Sequence, residues 1–410
     1  MSTDVAIIGL GCILAHGQGD EAMDRVLAGE CAASVCEVGG ERYAVGRVRD
    51  VLPVSADERD RAVSLALAAA DLAMRDAGLD RAADAKPAAG ASLDGIAPER
   101  FACLIALSKG GLGLVARVLA DPAAAAARWP TWLAEADPTA AMRHVACRYG
   151  LRGAMLAPVS ACASGGHVLA RARALLLEGR ADAVLCGAAD ASLLPPVLSS
   201  YRRLGVLAPV DGAPERCCRP FEADRAGFYV GEGAAAFVLT SAETAARLRR
   251  RPRARLVAAA EGAFAHSLVT VPSDGRDLAH MISVALGRAG VHADEVDLVA
   301  AHGTATRDGD LNEARAIRLA LGDRAARVSV MATKPLHGHL LGAACAVESA
   351  LVVRAVETGR LPPTICLACA DGPGDLGYIA EARSGGPVSV AVKLSAGFGG
   401  QVSVNVFRTA

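Results

Sequence analysis

Along this chain, short runs of apolar residues alternate with longer stretches whose apolar positions recur at helical spacing. The short runs predict ten strands, at 4–11, 100–108, 154–161, 182–188, 234–240, 255–263, 296–303, 328–333, 387–395 and 401–407. Between them the spacing predicts helices over 60–77, 138–149, 166–179, 277–289, 309–321 and 341–357. Strands alternating with helices are the pattern of an α/β fold. The Ala-, Pro- and Gly-rich segment 78–100 reads as a surface loop. Near "RRRPRA" (249–254) the pattern starts afresh, which predicts two halves, 1–250 and 251–410.

Composition narrows the picture. The chain is 52% hydrophobic but only 3% aromatic, so its core is built from Ala, Val and Leu rather than rings. A formal net charge of −1 gives no reason to expect nucleic acid or a membrane surface as a general partner. "MSTDVAIIGLGCILAHG" has no basic region ahead of its apolar run and reads as a first strand rather than a leader. Twelve scattered cysteines then fit a reducing cytoplasm better than a disulfide framework. The lone C-x-x-C of Cys366 and Cys369 has no second pair to complete a zinc site.

One cysteine stands apart. Cys103 and Cys186 lie inside apolar runs, where a buried thiol is expected. Cys162 is instead flanked by Ala161, Ala163, Ser164, Gly165 and Gly166, which permit a tight turn and close approach of a substrate. The helix that follows would place it at an N-terminus, where exposed N–H groups lower a thiol pKa. A buried, inert thiol remains the alternative.

Two further strand ends carry imidazoles. His302 leaves "VDLVAA" into a turn containing Gly303, Thr304 and Thr306. Lys334, His337 and His339 follow the strand that ends at Thr333. A thiol with two imidazoles suits covalent acyl chemistry. His302, His337 and His339 could also form a three-nitrogen zinc site, but no acidic ligand accompanies them.

The ordered set "ACASG", "CRPFEADRAGFYVGEG", "AHGTAT", "TKPLHGHLLGAACAVES" and "GFGG" closely resembles the elongating β-ketoacyl-acyl-carrier-protein synthases of fatty acid and type II polyketide synthesis. The resemblance implies a thiolase-like fold, two similar α/β halves in a layered αβαβα arrangement. It implies that Cys162 takes an acyl chain, and that His302 and His339 assist decarboxylation of a malonyl extender. It implies that Lys334 orients the site, with Glu348 beside it and Thr304 and Thr306 in support. Phe398 would be the gate of a loop formed with Gly397, Gly399 and Gly400. Backbone N–H groups of Cys162 and Phe398 would form the oxyanion hole. No cofactor or metal is implied, since substrates ride on the phosphopantetheine arm of acyl carrier protein.

The resemblance also implies a dimer, of identical chains or with a synthase paralogue. A non-catalytic chain-length-factor-like paralogue and a coenzyme A-dependent thiolase are the rival readings. Both histidines and the cysteine argue against the first. The second would need another cysteine and only one active-site histidine. Lys109 and Tyr201 fall where the acyl pocket is expected and would favour a polyketide, aryl, polyene or short acyl chain; the alternative is that Lys109 points into the dimer interface and meets a carboxylate. Arg59, Arg61, Arg202 and Arg203 are candidates for a basic patch facing an acidic carrier protein. His337 and Ala396 depart from the family's usual residues.

Overall fold

In the computed structural model, which describes residues 4–49, 60–79, 92–123, 129–370, 376–384 and 386–410, all ten expected strands occur. They are β1 (Val5–Leu14), β2 (Phe101–Leu107), β3 (Met155–Leu156), β4 (Ala183–Asp190) and β5 (Gly233–Ser241) in the first half. The second half has β6 (Ala254–Ala263), β7 (Leu298–Ala300), β8 (Ser329–Met331), β9 (Val390–Ala396) and β10 (Gln401–Arg408). Six expected helices are α1 (Arg61–Asp76), α2 (Ala140–Tyr149), α3 (Ser164–Leu177), α4 (Arg276–Ala289), α5 (Arg307–Leu321) and α6 (Ala344–Thr358).

The spatial order is β3-β2-β4-β5-β1 in one half and β8-β7-β9-β10-β6 in the other, with the same sequence of parallel and antiparallel pairings. The second half therefore repeats the topology of the first. The two join where β1 pairs antiparallel with β6, from Val5↔Leu256 to Ile7↔Ala254.

Side-chain alternation sorts the strands into layers. In β1, Val5 and Ile7 face the central core, whereas Ala6 and Ile8 face α1. A bulge at Ile7/Gly9 reverses that parity, so Leu10, Cys12 and Leu14 turn to the centre. The central layer is α3 and α6, packed between residues of both sheets. Outside it, α1 and α2 cover the first sheet, and α4 and α5 cover the second. The arrangement is αβαβα. Close packing of α3 on α6 depends on glycine: a Cβ at Gly165 would meet the Ala346 nitrogen at 2.4 Å.

Some expectations need correction. The run 154–161 is a strand only at Met155–Leu156, because the chain leaves the sheet to form the turn that carries Cys162. The hairpin Ser34–Val38/Glu41–Gly46 and the helices Gly19–Leu27, Leu112–Ala120, Trp129–Ala136 and Pro195–Arg203 were not apparent from spacing. Most of the loop 78–100, and Arg59, lie outside the described residues.

Candidate active site

Cys162 sits in a 3-10 turn, Ala161–Ala163, that runs directly into α3. Ala161 adopts a left-handed φ of 46°, which swings the chain sharply from extended strand to helix. The second half repeats the device: Leu341 has φ 47°, and the turn Leu341–Ala343 opens α6. Gly342 occupies there the place that Cys162 occupies in the first half. The N–H of Gly342 donates to Asp190 Oδ2, and a Cβ on Gly342 would fall 2.5 Å from the Ser108 Cβ.

The imidazoles come from the second half. His339 is clamped by backbone: its N–H donates to Tyr229 O at 2.7 Å, and Gly231 donates back to its carbonyl. Gly338 has φ 82° and packs on Tyr229 and Gly231 too closely for any side chain. Gly231 is equally constrained, since a Cβ there would meet His337 O at 2.4 Å. His339 Nε2 lies 3.2 Å from Cys162 Sγ, and its ring stands edge-on to Phe228 and, at 5.5 Å between centroids, to His302.

His302 is held through its main chain. Its N–H and that of Gly303 donate to the buried carboxylate of Glu313, and its carbonyl accepts from Lys334 Nζ. Lys334 Nζ also faces His302 Nδ1 at 3.4 Å. An ammonium has only donors, so Nδ1 is the acceptor and the ring proton is on Nε2. Lys334 is anchored in turn by Glu348 Oε1 at 2.6 Å.

Burial dominates the proton equilibria. It holds the His302 and His339 imidazoles well below their usual range, reinforced by the positive charge of Lys334, so both rings are neutral. Burial also pushes the Cys162 thiol up to about 11, against the pull of Lys109 and Lys334. That corrects the expectation of a thiol ionised by its helix terminus: desolvation outweighs the positive neighbours.

Cys162, His302 and His339 open into a cavity of about 420 Å³ that also takes in Thr304, Thr306, Tyr201 and Phe398. The two threonine hydroxyls bond each other at 2.9 Å. Phe398 stacks on Tyr201, with ring centroids 6.3 Å apart. Gly397 packs against the backbone of Cys162: a Cβ there would lie 2.9 Å from the Cys162 nitrogen. Gly399 and Gly400 have φ of 82° and 78°, conformations that disfavour any other residue.

Comparison with known proteins adds a lineage. Residues 46–245 match the Beta-ketoacyl synthase, N-terminal domain, and residues 254–368 the Beta-ketoacyl synthase, C-terminal domain. The chain is 31% identical to the "Tetracenomycin polyketide synthase ketoacyl synthase alpha subunit" of Streptomyces glaucescens, over 98% of this chain and 96% of that protein. The chain belongs to the β-ketoacyl synthase family. It is also 38% identical to the "Oxytetracycline polyketide putative beta-ketoacyl synthase 1" of Streptomyces rimosus, over 66% of this chain but only 60% of that protein. Among solved structures, a type II PKS ketosynthase bound to a hexaketide, in complex with its acyl carrier protein, superposes with a TM-score of 0.88 at 28% identity, covering all of both chains. The ishigamide ketosynthase/chain length factor gives 0.88 at 27% identity, again over both whole chains. The fold is accordingly thiolase-like.

Not every candidate in this member of the β-ketoacyl synthase family joins the site. Lys109 was expected either in the acyl pocket or against a carboxylate, and the pocket is not where it lies. It is instead paired with Asp190 at 2.8 Å, and it bonds Ser108 rather than lining the cavity over Cys162. Tyr201 does line that cavity. His337 lies below the site, bonded to Gly338 O and Thr333 Oγ1, and burial depresses it to about 3. No group of three metal-ligating side chains occurs among the described residues. The Cys366–Cys369 segment is anchored through the Ala368 and Cys369 N–H groups, which donate to Glu222. Of the basic candidates, Arg61 is committed to Glu232 and Arg202 to Glu41 and the face of Tyr43, while Arg203 is exposed. Sequence reasoning missed Glu313 and Lys393. The signal for Lys393 was a lone lysine inside the apolar run "VSVAVKLS".

Proposed function

We propose that this chain is a catalytic β-ketoacyl-[acyl-carrier-protein] synthase, condensing an acyl chain on Cys162 with malonyl-acyl-carrier-protein in fatty acid or type II polyketide synthesis. The observation that carries the reading is the 3.2 Å contact between Cys162 Sγ and His339 Nε2, with neutral His302 beside it.

In the first half-reaction the Cys162 proton passes to His339, and sulfur attacks the acyl thioester. The tetrahedral oxygen is received by the N–H groups of Cys162 and Phe398. The departing pantetheine thiolate recovers the proton from His339. In the second, the malonyl C–C bond breaks, CO2 leaves, and the electron pair becomes an enolate. His302 Nε2–H receives its oxygen. The enolate carbon attacks the acyl-Cys162 carbonyl, and collapse frees the β-ketoacyl product and the thiolate, which regains a proton. A neutral imidazole suits this work, because a donor aimed at a developing oxyanion in a dry site needs no reorganisation.

The phosphopantetheine arm would enter past Thr304 and Thr306, and acyl carrier protein would dock around the cavity rim near the exposed Arg203 and Arg307. A dimer would cover the sheet edge at β3, where Met155 is 49% exposed. We take 1–250 and 251–410 as the two halves, the boundary lying in the link between Arg247 and Ala254. No helix among the described residues is long and apolar enough to cross a membrane, and we assign the enzyme to the cytoplasm.

Intact-mass analysis after incubation with an acyl carrier protein thioester tests the reading. An acyl adduct on the wild type that disappears in Cys162→Ala is expected. No adduct on the wild type would favour the chain-length-factor alternative.

A further inference from the structure

β9 carries Lys393 within the run Val-Ala-Val-Lys-Leu-Ser-Ala, and its side chain is entirely buried. Its Nζ donates to the carbonyl oxygens of Ala301, at 3.1 Å, and Leu394. It also lies 2.7 Å from Glu348 Oε2. That approach is off the hydrogen-bonding direction, so it is a contact of charges: Oε2 receives no aligned donor. The other oxygen, Oε1, takes Lys334, and Lys334 faces His302 Nδ1. Lys393, Glu348, Lys334 and His302 thus form one continuous chain of contacts from the interior to the cavity.

A charge count shows what Lys393 changes. The carboxylates of Glu348 and Glu313 are both buried, and so are the ammoniums of Lys334 and Lys393. Without Lys393, Glu348 keeps one ammonium, Lys334, and its Oε2 loses the positive charge beside it. In a low-dielectric interior a carboxylate so weakened holds Lys334 less firmly. Burial works against ionisation of Glu348, yet the two lysines outweigh it and hold the carboxyl below its usual range.

We propose that Lys393 is a positioning residue for the decarboxylating half-reaction: it fixes Glu348 as a carboxylate, Glu348 fixes Lys334, and Lys334 keeps His302 in the Nε2–H tautomer facing the thioester oxygen. This rests on the synthase reading above. Lys393 touches no reacting atom, and it reaches the pair that carries the acylation, Cys162 and His339, only through charge at a distance on His339, so acylation depends on it less.

The test compares the wild type with Lys393→Met and with the double variant Lys393→Met/Glu348→Gln, which removes the stranded charge. Three quantities are read: acyl transfer to Cys162 by intact mass, CO2 release from malonyl-acyl-carrier-protein, and the His302 tautomer from ¹⁵N-resolved histidine spectra. In Lys393→Met, CO2 release should fall at least about tenfold while acylation stays within roughly threefold of the wild type. The His302 signals should show loss of the single Nε2–H form, and the double variant should recover part of the lost CO2 release. Wild-type CO2 release with unchanged His302 signals in Lys393→Met would overturn the proposal. So would equal loss of both half-reactions with no recovery in the double variant, which marks a merely structural lysine. If the wild type itself releases no CO2, the synthase reading fails, and the His302 tautomer alone decides the part played by Lys393.

Discussion

His339 Nε2 lies 3.2 Å from Cys162 Sγ although 177 residues separate them in the chain. The contact joins a thiol that burial makes a weak acid to an imidazole that burial keeps neutral. With the thiol at about 11, only about one molecule in ten thousand would carry a free thiolate at pH 7. In the proposed synthase the imidazole would therefore take the proton as sulfur attacks.

In His339→Ala the acyl-transfer rate at pH 7 should fall by roughly 10²–10⁴-fold. It should then climb about tenfold per pH unit toward pH 11, because thiolate now forms only by ionisation to solvent. The wild type should show a much flatter profile. Rapid-quench acylation between pH 7 and 10 distinguishes the two, and a flat profile in the variant would mean that the thiol ionises without the imidazole.

Lys109 bears on Cys162 at a distance. Its ammonium, paired with Asp190, is the largest of the influences that pull the thiol pKa down. Lys109→Met should therefore raise that pKa further and slow alkylation by iodoacetamide at every pH below it, shifting the pH midpoint upward. An unmoved midpoint would remove Lys109 from the electrostatics of the site.

The close fit of Gly397 makes it a sensitive position. Gly397→Ala puts a methyl 2.9 Å from the Cys162 nitrogen and 3.1 Å from Ser160 O. Acylation should drop by roughly 10²–10³-fold, the scale of losing one oxyanion donor. The melting temperature should change little, because the loop is at the cavity wall. Wild-type acylation in this variant would place the oxyanion hole elsewhere.

Glu348→Ala leaves two buried ammoniums, Lys334 and Lys393, without their shared carboxylate. Breaking a buried pair in this way costs about 3–5 kcal/mol. Denaturant unfolding should show that loss as a lower midpoint. A variant as stable as the wild type would mean that the lysines discharge on losing their partner.

The layered fold was largely legible in the sequence, since each of the ten strands is an apolar run and the six long helices keep their spacing. The thiol and both imidazoles were legible because each stands where an apolar run gives way to small residues. What could not be read was set by contacts between distant segments. Lys109 finds Asp190 across 81 residues, and Lys393 meets Glu348 between two core layers. The ionisation of Cys162 was misjudged for a related reason: local sequence shows a helix terminus but not how deeply the fold buries it.

The sheet edge at β3 gives a final test of assembly. Met155→Asp places a charge on an exposed apolar edge that pairs on one side only. A dimeric wild type should become monomeric in sedimentation, with its secondary structure retained. A variant that stays dimeric would put the interface on another face.

The repeated turn at Leu341–Ala343 fixes a stoichiometry. Each half has the same sharp entry into a central helix, but the second presents Gly342 to Asp190 and Ser108, which fill the space a reactive side chain would need. Substituting cysteine at that position would bring its Cβ against the Cβ and hydroxyl of Ser108, not into an open chamber. In the proposed synthase, chain extension would thus be rationed to one growing acyl group per polypeptide, whatever the number of polypeptides assembled.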